Sequence, residues 1–358
     1  MNVRSLLALV FIWIAPVAHA QGFAGLGLSA EGYAAVDPNR PITFPQDHTA
    51  HPDYRIEWWY LTANLTDAAG NPLGAQWTVF RNATRPADGQ RNAWEDGQIW
   101  LGHAAVTLPD QHYHGERYAR GGTGQAGALL TENLLEVWID DWGLQSLNSA
   151  SETDALDQII VSARGDTFAY DLTLTAHGPL VRHGVNGFSV KSNEGQASYY
   201  YSQPFYEVSG TITLPDGARQ VSGQAWLDRE WSSQPLAADQ AGWDWVSLHF
   251  ETGEKLMGFS LRSRDETRFT SATWISANGQ PTAYGDGALR MTPIVTHEVA
   301  GRVLPVGWHI TLPEQSLDIR TNALNPDAWM GGTIPYWEGP IFSTGSHLGR
   351  GYLEMTGY

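Results

Sequence analysis

The chain has 358 residues, a formal net charge of −17, 16 Trp and no Cys. A length of this order suggests about two domains, because single hydrophobic cores rarely grow past about 250 to 300 residues. The acidity argues against nucleic acid or an anionic membrane surface as a partner, and the missing cysteine excludes disulfides, thiolate metal sites and a Cys nucleophile.

Met1–Ala20 reads as a secretory signal. It has one early cation, Arg4, an apolar run from Leu6 to Val17 and the small-x-small ending Ala18-His19-Ala20. The run is short for a membrane span, and no later stretch reaches ~18 uninterrupted apolar residues. The mature chain is therefore expected to start near Gln21, to be exported to the periplasm or beyond a bacterial cell, and to keep no integral span. Residues 21–50 read as an N-terminal loop segment.

From Arg55 onward the apolar pattern has period two and not 3.6. Runs at Arg55–Leu65, Gln76–Arg81, Gln98–Leu108, Leu134–Asp140, Gln158–Ala163 and Phe168–Thr175 are followed by Glu207–Leu214, Gln220–Asp228, Trp243–Phe250, Lys255–Arg262, Phe269–Ser276 and Trp308–Thr311. They are rich in Trp, Tyr, Val, Ile and Thr, the composition of strands. Turn signals such as Asp67-Ala68-Ala69-Gly70-Asn71-Pro72, Pro215-Asp216-Gly217 and Ala277-Asn278-Gly279 separate them. The expectation is an all-β protein, sandwich or barrel, divided near Leu214–Ser222 into residues 51–218 and 219–358. No phosphate-binding glycine loop and no G-x-S-x-G elbow occurs.

Four stretches carry unusual chemistry. In Glu57-Trp58-Trp59-Tyr60-Leu61 the odd positions share a face, which puts Glu57 at the head of an apolar row. It reads either as a functional carboxylate or as an ion pair with Arg55, Arg81 or Arg229. In Trp226-Leu227-Asp228-Arg229-Glu230-Trp231 the side chains of Trp226, Asp228 and Glu230 alternate onto one face. This pair beside an indole reads as a general acid or as an Arg-linked network closing a barrel end. Gly242-Trp243-Asp244-Trp245 gives one row with Asp244 and another with both indoles and His249, which fits an apolar pocket or aromatic core. Finally, His177 and His183 flank a Gly-Pro loop, and His112 and His114 form an H-x-H pair; neither has a recognised zinc spacing, and no metal site is assigned. Read back by twos from Tyr358, the last strand puts Glu354 and Arg350 on one row, which argues against an outer-membrane barrel.

These motifs, with Gly102-His103, Lys191-Ser192, Ala197-Ser198-Tyr199-Tyr200-Tyr201-Ser202, Tyr336-Trp337-Glu338-Gly339-Pro340 and Gly351-Tyr352-Leu353-Glu354-Met355, follow one another in the order of a known family. From about residue 50 to 358 the chain resembles the AttH-like family, related to carotenoid 1,2-hydratases and labelled a secreted hydrolase or lipocalin-like protein. The resemblance implies two consecutive lipocalin-like antiparallel β-barrel domains. It also implies a hydratase or hydrolase that needs no cofactor and acts on an apolar, isoprenoid- or lipid-like molecule; the alternative is a carrier that binds such a ligand without chemistry. Acid-catalysed hydration needs a protonated carboxyl group in an aromatic pocket. Asp228 is the first candidate for that group, with Glu230, Glu57 and Asp244 behind it. Trp58, Tyr60, His103, Tyr200, Trp226, Trp243 and Trp245 are the expected substrate-binding side chains.

Overall fold

The structure, a computed structural model, describes residues 30–86, 96–147 and 154–358; the signal-like segment Met1–Ala20 lies outside them. The described residues hold strands, loops and two single 3₁₀ turns, Gln46–His48 and Pro313–Gln315, and no helix among them is long and apolar enough to cross a membrane. The strands form two antiparallel sheets.

The first sheet takes β1 (Ile56–Asp67), β2 (Pro72–Ala83), β3 (Gln98–Thr107), β4 (His112–Arg120), β5 (Ala126–Thr131), β6 (Leu134–Ile139), β7 (Trp142–Ser146), β8 (Gln158–Arg164) and β9 (Ala169–Ala176), then β10 (Val181–Arg182), β11 (Phe188–Val190), β12 (Ala197–Leu214) and β13 (Gly217–Ser232). Its order is β4-β3-β2-β1-β13-β12-β9-β8-β7-β6-β5, with β10 and β11 both on β12. The sheet curls until β6 lies against β2, β3 and β4, a nearly closed barrel. Odd positions of β1, Trp59, Leu61, Ala63 and Leu65, fill its interior with Trp77, Trp142 and Leu144. The Trp59 indole donates to the His48 carbonyl at 2.8 Å, so this large apolar ring is buried without leaving its N–H unpaired.

The second sheet takes β14 (Gln240–Phe250), β15 (Lys255–Ser263), β16 (Arg268–Ile275), β17 (Pro281–Tyr284), β18 (Arg290–Val299), β19 (Arg302–Leu312), β20 (Leu317–Ala323), β21 (Trp329–Met330), β22 (Tyr336–Gly345) and β23 (Gly349–Met355). Its order is β17-β16-β15-β14-β23-β22-β20-β19-β18, around a core that includes Val246, Leu248, Trp308 and Trp337.

The division expected near Leu214–Ser222 is corrected. Pro215-Asp216-Gly217 is the tight turn of the β12–β13 hairpin, and β13 pairs along its length with β1, so the first sheet runs on to Ser232. The passage between sheets is residues 233–239. A turn signal marks a chain reversal, and whether the reversal closes a hairpin or a domain depends on pairing partners far away in sequence. Between the sheets lies a third apolar cluster containing Ile56, Tyr60, Tyr200 and Trp226 of the first and Trp245, Phe259, Leu261 and Tyr352 of the second. Gly74 on β2 permits this docking: any side chain there would collide with the Tyr352 hydroxyl and Pro340.

Candidate functional site

Both faces of β1 are buried, the odd one in the barrel and the even one against the second sheet. On the even face, strand register aligns a continuous patch. Tyr60 pairs with Asp228 and Thr78, Trp58 with Glu230 and Phe80, Ser202 with Asp228, Tyr200 with Glu230, and His103 with Thr78. Opposite stand Trp243 and Trp245 of β14, Phe259 and Leu261 of β15, Tyr336 of β22 and Glu354 of β23. Together they enclose a cavity of about 1240 Å³, open mouth included, lined mostly by aromatic and aliphatic side chains. A pocket with a few convergent polar groups on apolar walls is the usual form of a small-molecule site.

Asp228 is the most constrained of those polar groups. Trp226 Nε1 donates to its Oδ1 at 2.6 Å and the Tyr200 hydroxyl to its Oδ2 at 2.7 Å, and the Ser202 hydroxyl donates to Oδ1. Trp245 Nε1 in turn donates to Tyr200 at 3.1 Å, and His183 Nε2 lies 2.6 Å from Ser202 Oγ. No cation pairs with Asp228 among the described residues. Burial pushes its titration up to about 7; the three donors oppose that rise, and the charge of Glu230 adds to it. His183 is held neutral by burial and by the Lys191 charge.

Glu230, two residues on, accepts from Lys191 Nζ at 2.8 Å and from Ser198. Lys191 sits 4.2 Å from the centre of the Phe259 ring and 4.8 Å from that of Tyr200. At the far end, His103 joins the Tyr336 hydroxyl (3.0 Å) to Glu116 (3.1 Å). On the second sheet, Trp243 Nε1 donates to Glu354 Oε2 at 3.2 Å. Burial lifts the Glu354 titration to about 8 despite that bond, helped by the charges of Asp228 and Glu230.

Of the side chains singled out in the sequence, Asp228, Glu230, Trp58, Tyr60, His103, Tyr200, Trp243 and Trp245 line this one cavity. Trp226 stands behind the wall and orients Asp228. Glu57 and Asp244 do not line the cavity. Glu57 faces the first barrel's interior, in ion pairs with Arg81 and Arg229 and with His51 Nδ1 at 3.1 Å. Burial alone would raise its titration, but the two guanidinium groups hold it well below the carboxylate range. Asp244 is the counterpart in the second sheet, held by Arg268 (2.9 Å), Arg262 (3.2 Å) and the Tyr358 hydroxyl (2.7 Å). Each carboxylate ties together strands that only folding brings close. His249 stands behind Trp226 and donates from Nε2 to the Pro204 carbonyl at 3.0 Å. Among the described residues no group of three His, Asp or Glu is arranged to hold a metal ion.

Three groups lining the cavity, Lys191, Tyr336 and Glu354, and Glu338 behind its wall, are not among the site residues expected from sequence. Lys191 carried a signal, as one of only two lysines in the chain. Glu338 and Glu354 each sit in an aromatic motif, but their cross-strand pairing is a property of the fold.

The AttH-like family model matches residues 35–358. The crystal structure of a Nitrosomonas europaea protein assigned as AttH superposes with a TM-score of 0.79 at 34% identity, covering 91% of this chain and 99% of that one. Kievitone hydratase from Nectria haematococca shares the fold, with a TM-score of 0.68 at 18% identity over 91% of this chain and 96% of its own. No curated protein matches the sequence. With every described strand inside the matched range, the chain belongs to the AttH-like family.

Proposed function

We propose that this protein adds water across a carbon–carbon double bond of an apolar small molecule, and removes it in reverse, in the cavity between the two sheets. The observation that carries the reading is Asp228, a carboxyl group titrating near 7 among aromatic rings and held by neutral donors. An acid with both forms populated at neutral pH is well matched to proton transfer. Asp228 gives its proton to one alkene carbon, and the positive charge left on the neighbouring carbon is stabilised by the faces of Trp58, Trp243 and Trp245. Water adds there, and its surplus proton passes to a carboxylate of the cavity. Alkene and water become alcohol, with nothing oxidised or reduced.

The family resemblance to carotenoid 1,2-hydratases, and a fold relative whose name is that of a hydratase, favour this reaction type. A serine hydrolase fits poorly. Ser202 lies between His183 and Asp228, whereas a nucleophilic relay needs the imidazole in the middle, and Ser202 does not line the cavity. The same reading takes Met1–Ala20 as an export segment, so the reaction would run outside the cytoplasm.

The test is incubation with a panel of isoprenoid and phenolic alkenes in ¹⁸O-labelled water, with products read by mass spectrometry. Wild-type protein is expected to yield labelled alcohol. D228N is expected to lose at least about 10²-fold in turnover, the usual scale of a general acid, while ligand still quenches tryptophan fluorescence. Undiminished turnover in D228N refutes the assignment. A carrier would need the cavity and not the acid, and would show binding with no labelled product in either protein.

A further inference from the structure

The second sheet brings a buried acid pair to the cavity wall opposite Asp228. Glu338 on β22 and Glu354 on β23 are direct cross-strand partners, so both side chains leave the same face of the sheet, with Cβ atoms about 5 Å apart. Glu354 reaches the cavity. Glu338 lies behind it, 1% exposed. The hydroxyls of Tyr60 on β1 and Tyr336 on β22 face Glu338, and Tyr352 on β23 and Tyr170 on β9 feel its charge. Tyr60 is 5% exposed, so its hydroxyl meets the carboxyl away from water. Asp228 and Glu230 on β13 act on Glu354 from the first sheet. Lys191, the cation in the cavity wall, is engaged by Glu230, and no Lys or Arg pairs with Glu338 or Glu354 among the described residues. Two buried carboxylates in this position cannot both ionise cheaply: the charge of Glu354 adds to the upward push of burial on Glu338, and those of Asp228 and Glu230 add to it on Glu354.

We propose that Glu354 is the second proton-transfer group of the cavity, serving the reacting oxygen while Asp228 serves the carbon, and that Glu338 is the positioning residue that keeps a proton on the pair. This rests on the hydration reading above. In the dehydration direction the pair's proton passes from Glu354 to the departing hydroxyl, the C–O bond breaks and water leaves. The Asp228 carboxylate takes the proton of the adjacent carbon as the double bond forms. In hydration every step reverses: the Asp228 O–H bond becomes a C–H bond, water forms the C–O bond, and its proton passes to the Glu354 carboxylate. Exchange with solvent resets both acids. Because the two groups stand on opposing sheets, hydrogen and hydroxyl enter from opposite sides.

The decisive measurement does not depend on turnover. Infrared spectra of D228N at about pH 7, where ordinary carboxyl groups are ionised, are expected to retain a protonated-carboxyl band, and the added pair E338Q and E354Q is expected to remove it. A D228N spectrum without that band overturns the shared proton, whatever the activity. In the alkene assay, E354Q is expected to lower kcat about 10²-fold with KM little changed. E338Q is expected to keep most of kcat and to move the alkaline limb of the pH profile acidward by about one unit as the like charge disappears. Undiminished kcat in E354Q, or an unmoved limb in E338Q, overturns the assigned roles. If no alkene turns over, the hydration reading falls and takes the catalytic role of Glu354 with it, and the infrared result alone then judges the acid pair.

Discussion

Replacing Asp228 by Asn should change how stability depends on pH, with a sign that follows from burial. In the folded protein Asp228 holds its proton up to about pH 7, against a reference value of 3.8 for the free side chain. Below both values the folded and unfolded chains are equally protonated there, and the group contributes nothing. Between them the folded state binds a proton that the unfolded chain has released, so stability falls as pH rises. Above the folded value the loss is complete, and a shift of about three units corresponds to on the order of 4 kcal/mol. The side chain is 2% exposed, so solvent screening removes little of that. Asn is neutral at every pH. Its oxygen can still accept from Trp226 and Ser202, while its amide meets a Tyr200 oxygen that already receives Trp245, a mismatch worth about 1 kcal/mol. D228N should therefore be more stable than wild type by less than about 1 kcal/mol at about pH 5, where the loss in wild type only just exceeds the mismatch, and by up to about 3 kcal/mol at about pH 8.5. Relief of Glu354, which loses a nearby negative charge, acts in the same direction. Urea unfolding followed by tryptophan fluorescence at the two pH values measures this. A difference between the proteins that is the same at both, or that favours wild type more at the higher pH, refutes the placement of a buried acid at Asp228.

Glu57→Gln should act through the fold and not the cavity. It leaves Arg81 and Arg229 buried without their carboxylate, an uncompensated charge that costs about 3–5 kcal/mol. Ligand quenching of cavity tryptophans in the protein that remains folded should be unchanged, because Glu57 points away from them; a stability near wild type, or a lost cavity, contradicts that division of faces. At the other end of the chain, protein recovered from outside the cytoplasm should begin at Gln21 by N-terminal sequencing, and a chain that retains Met1 refutes the export segment.

Period-two alternation gave the correct partition of side chains on β1 and β13, with Trp58, Tyr60, Asp228 and Glu230 on one face and Glu57, Trp59 and Arg229 on the other. It did not reveal which face bounds a barrel and which a cavity, because both are buried and aromatic, and alternation in hydrophobicity carries that information only where one face meets water. The partner of Glu57 was more accessible. Asp67 to Pro72 forms the β1–β2 turn, and counting outward from its centre brings Arg81 opposite Glu57. In the sequence Glu354 is one of two charges on a row that would have to face lipid, and nothing local indicates that it lines a cavity between two sheets.

The surroundings of Asp228 resisted the same counting for a specific reason. Counted back from the Pro215-Asp216-Gly217 turn, an unbroken β12 would bring Gln203 opposite Asp228. The register slips by one between Gln203 and Tyr206, across Pro204, and Ser202 takes that place with Tyr200 two residues away on the same face. Proline cannot donate to a ladder, so a bulge there is physically natural. Beyond the bulge the odd and even faces exchange: Tyr199 and Tyr201 share the barrel interior with Tyr206, while Tyr200 and Ser202 turn to the carboxylate. The three consecutive tyrosines thus have different functions because of one residue downstream of them. Removing the slip would carry the hydroxyls of Tyr200 and Ser202 away from Asp228 while leaving Trp226, on the same strand as the acid, in place. An Asp228 stripped of two of its three donors would titrate higher still, so the bulge at Pro204 is what brings the acid down into the neutral range.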